Sequence, residues 1–214
     1  MRLLFIGLFI LKSHVLFSQK ENQLWLAANG FVETKNFVFR ADVGYRIRTF
    51  DFSNPTQFLG RCSFSKKWNS FQVGIGGALF FHVSQNSNFR KEYRPFLQVN
   101  YLKSVLKHEF NVRFRNEFRF FERENLVNRM RLNMNYKLNI KQDFALTITP
   151  EFFYSLNETS LFESRYQFGS LIRFFEGNEV LFFYQYNWQK GTTVNAFHVL
   201  GITYTKRLKL NYEQ

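Results

Sequence analysis

The sequence predicts an all-β chain, a transmembrane antiparallel up-and-down β-barrel of about 10–12 strands, and three observations carry that expectation. Apolar and polar residues alternate one by one along most of the chain, as they do in a strand with one apolar and one polar face. Most of the alternating stretches are longer than the five or six residues usual in soluble strands and approach the nine to eleven or so that a tilted strand needs to cross a bilayer. The connections between them alternate between short and long.

The N-terminus points to export. Met1 and Arg2 supply positive charge, residues 3–11 are an uncharged apolar run, and Leu16-Phe17-Ser18 ends on a small residue. That order is the signature of a secretory signal peptide, with an apolar run too short to span a bilayer as a helix. Residues 1–18 are expected to be removed, leaving one barrel domain over 19–214 that starts at Gln19. No lipid-accepting Cys follows the apolar run. Cys62 is the one cysteine, so neither an intrachain disulfide nor a Cys-based metal site is available.

The clearest strand spans 37–48. Phe37, Phe39, Ala41, Val43, Tyr45 and Ile47 share one face, and Arg40, Asp42, Arg46 and Arg48 share the other with Val38 and Gly44. Residues 109–120 repeat the pattern, with Asn116 the one polar residue on the apolar side. Residues 71–83 and 129–137 alternate as well, and weaker versions occur at 24–33, 58–65, 94–102, 144–154, 165–174, 180–188 and 197–205. Since a bacterial barrel usually has an even strand count, starting at Phe37 gives ten. Residues 24–33 are then extra, lumenal or pairing at the seam, and a twelfth strand would have to come from 206–214.

Short turns are expected at 34–36, 66–69, 103–107, 138–143 and 175–178. Longer connections, richer in Asn, Ser and Gly, fall at 51–57, 84–92, 155–162 and 189–195. Barrels of this kind place short turns in the periplasm and longer loops outside. Phe64, Tyr101, Tyr136, Phe174 and Tyr204 then point outward just above the short turns, as a membrane girdle of aromatic rings.

Composition fits the same picture. Aromatics make up 20 % of the chain, yet the mean hydropathy is −0.29, and no long apolar run of the kind a helical membrane protein shows follows Leu11. Setting aside Arg2 and Lys12 leaves 27 of the 29 Lys and Arg against 16 Asp and Glu. An excess of about +11 usually signals an acidic partner. An exported chain rarely meets nucleic acid, and the charges sit on the polar faces of strands.

The expected lumen-lining charges are Arg40, Asp42, Arg46, Arg48, Glu109, Arg113, Arg115, Glu117, Arg119, Arg129, Arg131, Glu151, Arg165 and Arg173. Pairing of Arg113, Arg115 and Arg119 with Glu109, Glu117 and adjacent strands would make them structural ladders. The surplus of Arg would bias the interior toward small anionic solutes, phosphate-bearing or carboxylate, so that the barrel is expected to be a narrow anion-favouring channel or a structural envelope protein. Arginines together with Phe80, Phe96 and Phe153 are bulky enough to fill such a lumen. One catalytic pattern stands out: His82-Val83-Ser84 places a base and a nucleophile on one face of a strand, resembling the His-x-Ser pair of outer-membrane lipid hydrolases. By parity, however, His82 faces the lumen, whereas those enzymes hold the pair toward the bilayer. His108 and His198 lack metal-ligand spacing, and no cofactor motif is present. An exported soluble ligand-binding barrel would alternate in the same way with its apolar face inward.

Several motifs recur in order: Leu24-Trp25, Arg113-x-Arg115-x-Glu117, Asn128-Arg129-x-Arg131, Pro150-Glu151 with the aromatics after it, Arg165 before Gly169, and His198-x-Leu200-Gly201-Ile202-x-Tyr204. In that order they resemble the Bacteroidota outer-membrane barrel family known as domain of unknown function 2490. The resemblance runs from about Gln23 to Tyr204. It implies a barrel in the outer membrane of a Gram-negative bacterium, in contact with outer-membrane lipid, and supplies no substrate, activity or functional residue. Aromatic C-terminal residues are common in barrels, whereas this chain continues past Tyr204 to Gln214.

Overall fold

A computed structural model describes residues 22–48, 55–83, 89–122, 126–157, 160–175, 177–190 and 195–210; the expected signal peptide and Ser84 lie outside them. The described residues form eleven strands: β1 (Asn22–Glu33), β2 (Phe37–Arg48), β3 (Pro55–Trp68), β4 (Phe71–Val83), β5 (Phe89–Val105), β6 (His108–Phe121), β7 (Val127–Asn139), β8 (Phe144–Ser155), β9 (Ser160–Arg173), β10 (Asn178–Gln189) and β11 (Asn195–Lys209). Each pairs antiparallel with the next, and β1 pairs in parallel with β11, so the sheet closes on itself without an edge.

The closure corrects the expected even count. Of the two places expected for residues 24–33, lumenal or pairing at the seam, the second is observed: they form a full barrel strand, hydrogen-bonded to β2 on one side and to β11 on the other. Residues 206–209 add no twelfth strand but extend β11. With eleven strands the two ends of the sheet lie on opposite rims. Asn22 stands at the rim of the longer connections, and Lys209 at the rim of the short turns.

Several strands outrun the alternating pattern that revealed them. β5 extends the expected 94–102 to 17 residues, and β3 extends 58–65 to 14. The ladder continues where side chains no longer alternate, because backbone pairing does not depend on side-chain character. The turns shrink accordingly, to Asn69-Ser70 and Leu106-Lys107 between strands, where Asn69 and Leu106 take positive φ (53° and 54°).

The outer face is apolar. Phe37, Phe39 and Val43 are 40 %, 46 % and 61 % exposed, whereas Asp42 between them is 5 % exposed. Gly30, Ala41, Cys62, Gly77 and Pro95 pair across five strands into one row of small outward residues, leaving a shallow depression in that face. Inside, glycines make room for rings. Gly76 lies opposite Phe96, and Gly201 opposite Phe183. A Cβ at either position would collide with the facing ring.

Candidate functional site: a two-chambered basic lumen

The described residues enclose two cavities in series along the interior. The chamber nearer the longer connections has a volume of about 500 Å³, and that nearer the short turns about 1090 Å³. Arg113, from the middle of β6, lines both.

Around the loop-side chamber, carboxylates are buried and shared. Glu92 is fully buried and accepts from His82 Nε2 at 2.8 Å, Arg94 Nη2 at 2.7 Å and Arg119 Nε at 2.5 Å. Glu117 accepts from Arg129 Nε at 3.0 Å and Arg131 Nη1 at 3.4 Å, with Arg115 3.6 Å away. From Glu117 the pairing continues across strands: Arg131 Nε donates to Glu151 at 2.6 Å, Arg165 stands 3.7 Å from Glu151, and Arg165 pairs with Glu163 at 2.5 Å. Four adjacent strands, β6 to β9, are thus laced by one run of charge-assisted bonds. Such bonds are stronger than neutral ones and satisfy charges that would otherwise be costly to bury.

Aromatic rings fill the spaces between these ions. Arg94 lies 3.7 Å over Phe80, Arg115 lies 4.0 Å over Phe96, and the ring of the fully buried Phe153 meets Arg165, Arg129 and Arg131 at 4.5, 4.7 and 5.1 Å. A planar guanidinium stacks on a ring while its edge donates to carboxylates. Rings and ions therefore pack as one unit.

The opposite wall differs. On β10, β11 and β1 the loop half of the interior presents Phe183, Phe197, Val199, Trp25, Gln185 and Asn187, with no carboxylate. Arg46 faces this wall with its guanidinium 3.8 Å over Trp25. Arg46 and Arg113 make no ion pair with a carboxylate among the described residues, and the Nε atoms of Arg113 and Arg48 are buried without a partner.

The turn-side chamber is richer in amides and hydroxyls. Gln98 donates to Ser65 at 3.4 Å and accepts from Arg115 at 2.8 Å, Asn135 donates to Thr149 at 2.7 Å, and Asn139 to Glu109 at 2.8 Å. Its ion pairs are nearer solvent: Lys137 with Glu109 at 2.6 Å, Lys67 with Glu33 at 2.5 Å, Arg207 and Arg173 with Glu179 at 3.2 Å. Arg40 also lines it and shares Asp42 with Arg61. Glu109 thus pairs with Lys137 rather than with Arg113, and Arg119 reaches Glu92 rather than a carboxylate of its own strand.

The sequence reading missed Arg61, Glu92, Arg94, Glu163, Glu179, Arg207 and the inward Trp25. Arg61 and Arg207 continue the parity of their strands and were legible in principle. Glu92 and Glu163 fall just beyond the expected strand limits at 94 and 165, in stretches assigned to loops.

At the turn-side rim, Phe64, Phe174 and Tyr204 are exposed on the outer face, and Tyr101 and Tyr136 are half-buried against Phe71 and Phe110, both at 5.1 Å. A second outward aromatic set, unexpected from the sequence, lies toward the loop side: Tyr45 with Phe58 at 4.8 Å, and His198 between Tyr184 and Tyr186. Outward Asn116 sits between Leu97 and Met130 with its Oδ1 buried and unpartnered.

The hydrolase pattern fares poorly at His82. A carboxylate only accepts, so Nε2 donates to Glu92, while Nδ1 accepts from Gln57 Nε2 at 2.9 Å. Both ring nitrogens are engaged on the lumenal side. No nitrogen is left to serve a hydroxyl as base.

A closed sheet, apolar without and charged within, has the architecture of a transmembrane β-barrel, the reverse of a soluble barrel with an apolar interior. The chain belongs to the family described as Protein of unknown function (DUF2490), whose model matches residues 22–198. No curated protein matches the sequence. Among solved structures it is similar to outer-membrane-expressed OmpT of Vibrio cholerae, at 13 % identity and a TM-score of 0.43 over 72 % of this chain and 56 % of that one. It is also similar to an anion-selective porin from Comamonas acidovorans, at 8 % identity and a TM-score of 0.42 over 78 % and 55 %. The chain therefore spans little more than half the length of either.

Proposed function

We propose that the protein resides in the outer membrane of a Gram-negative bacterium, the Bacteroidota being the group its sequence motifs imply, as a non-enzymatic barrel whose basic lumen favours small anions. One observation carries this reading: the Phe37, Phe39 and Val43 row is exposed while Arg40, Asp42 and Arg46 turn inward. Such a surface is stable against hydrocarbon and unstable in water. The two outward aromatic sets fit the two interfaces of a bilayer. The rings and ion pairs packed in the loop half favour a narrow passage over a wide one.

Two measurements test the reading. The expressed protein is expected in the outer-membrane fraction, with heat-modifiable migration on a gel. A detergent-free soluble monomer is the opposite result and would remove the proposal. In planar bilayers any conductance steps are expected to be small and to prefer anions; steps that prefer cations would refute the role assigned to the lumen.

A further inference from the structure

We propose that the loop-side chamber is a binding site for a small multivalent phosphate-type oxyanion, with Arg46 and Arg113 as its ligands. The inference rests on the reading of the lumen as anion-favouring and gives that reading a site.

Ownership of the carboxylates is the first argument. Among the described residues, every other arginine lining this chamber has one within ion-pair distance: Arg61 has Asp42, Arg94 and Arg119 have Glu92, Arg129 has Glu117, Arg131 has Glu151, and Arg165 has Glu163. Arg46 and Arg113 have none, and both face the chamber. A guanidinium withdrawn from bulk water without an anionic partner is costly. An incoming oxyanion relieves that cost in two places at once.

Placement is the second argument. Arg46 projects from β2 beside the carboxylate-free wall, and Arg113 from β6 on the far side of the barrel. On the Arg46 side the nearest carboxylate among the described residues is Glu163, which is already paired with Arg165 at 2.5 Å. The Arg46 guanidinium lies 3.8 Å over the Trp25 ring, and an arginine supported in this way can offer its edge for two parallel bonds, the geometry in which arginine recognises phosphate.

Valence is the third. Among the described residues nine basic side chains line the chamber against two carboxylates, Glu151 and Glu163, and the carboxylates behind them are each already shared. A monovalent ion would offset little of that excess, whereas a phosphate-type group carries more charge and enough acceptor oxygens to bridge two guanidinium groups. At about 500 Å³ the chamber is within the range of small-ligand pockets.

The test uses the barrel refolded in detergent, with its unfolding midpoint followed in pyrophosphate and in chloride at matched ionic strength. A site predicts a midpoint that climbs with the logarithm of pyrophosphate concentration and not with chloride. Arg46→Gln and Arg113→Gln should each weaken the pyrophosphate effect tenfold or more, and the double variant should abolish it. Arg207→Gln, in the other chamber, should leave it intact. Without pyrophosphate, Arg113→Gln should be at least as stable as the parent, because it removes a cation with no carboxylate; a merely structural Arg113 would give the opposite sign. Should either glutamine variant fail to refold, Arg46→Lys keeps the charge and loses the fork, and should still weaken binding.

Equal midpoints in pyrophosphate and chloride, or a pyrophosphate effect that survives the double substitution, would overturn the assignment. Refolding is scored separately by heat-modifiable migration. A folded barrel indifferent to pyrophosphate therefore rejects the site alone, while a chain that does not refold in detergent rejects the membrane reading beneath it.

Discussion

The two halves of the lumen solve the same problem differently. Both must place charge inside a barrel whose outer surface is greasy. In the loop half, arginines, glutamates and phenyl rings interlock, and Glu92 and Phe153 are fully buried. In the turn half, amides and hydroxyls dominate, the ion pairs involve partly exposed side chains such as Arg207 and Glu109, and the cavity is about twice as large. The contrast teaches that a tightly packed charged interior draws on rings: a guanidinium that lies over a phenyl is supported on its face while its edge serves carboxylates. Where rings are scarce, water-tolerant amides take their place.

The largest expected effect is at Glu92, which three cationic or basic partners share. Glu92→Gln leaves Arg94 and Arg119 without their carboxylate and should cost about 3–5 kcal/mol, the usual range for breaking a buried pair from one side. The urea midpoint of the heat-modifiable form measures it. A loss under 1 kcal/mol would mean that water already reaches this half, and the contrast between the chambers would disappear.

Gly201→Ala comes next. Gly201 lies on the inner face opposite Phe183, within the apolar wall made with Phe197 and Val199. A methyl group there must push the ring aside, and overpacking of this kind costs about 1–3 kcal/mol. The same unfolding assay checks it. A neutral result would show that the Phe183 ring has free space toward the chamber.

Glu109→Gln in the turn half should cost no more than about 1 kcal/mol, since its partners Lys137 and Asn139 are only partly buried and the pair is open to screening. Its effect should also shrink as salt is raised, whereas that of Glu92→Gln should change little. If the two glutamates respond alike to salt, the halves do not differ in hydration.

How far the sequence anticipated this arrangement depends on the element. Strict parity over residues 37–48 and 109–120 was enough to separate inside from outside, because a one-residue step in a strand reverses the face. The inward Phe80, Phe96 and Phe153 were legible for the same reason. Glu92 and Glu163 were not, since they lie just beyond the strand limits expected at 94 and 165, and the backbone ladder shows that the strands persist there. Nor was the seam. The parallel pairing of β1 with β11 follows from closing an odd number of strands, a property of the whole sheet that no local pattern in residues 24–33 records. Pairing partners such as Arg119 with Glu92 depend on register between strands, which periodicity within one strand leaves open.

That seam also decides which chamber faces the cell's surroundings, and the test of it should perturb stability least. With eleven strands, β1 begins at the rim of the longer connections and β11 ends at the rim of the short turns. If the longer connections face outward, as is usual, an epitope spliced directly before Asn22 is reached by antibody on intact cells, and one placed after Lys209 is reached only once the outer membrane is permeabilised. Labelling of both on intact cells would mean that the seam is not parallel and the strand count is even. Labelling of the second alone would turn the barrel over and give the periplasm the narrow, arginine-lined chamber. Since neither epitope touches a strand interior, the unfolding midpoint should stay within about 0.5 kcal/mol of the parent, so that the antibody result reports topology and not damage.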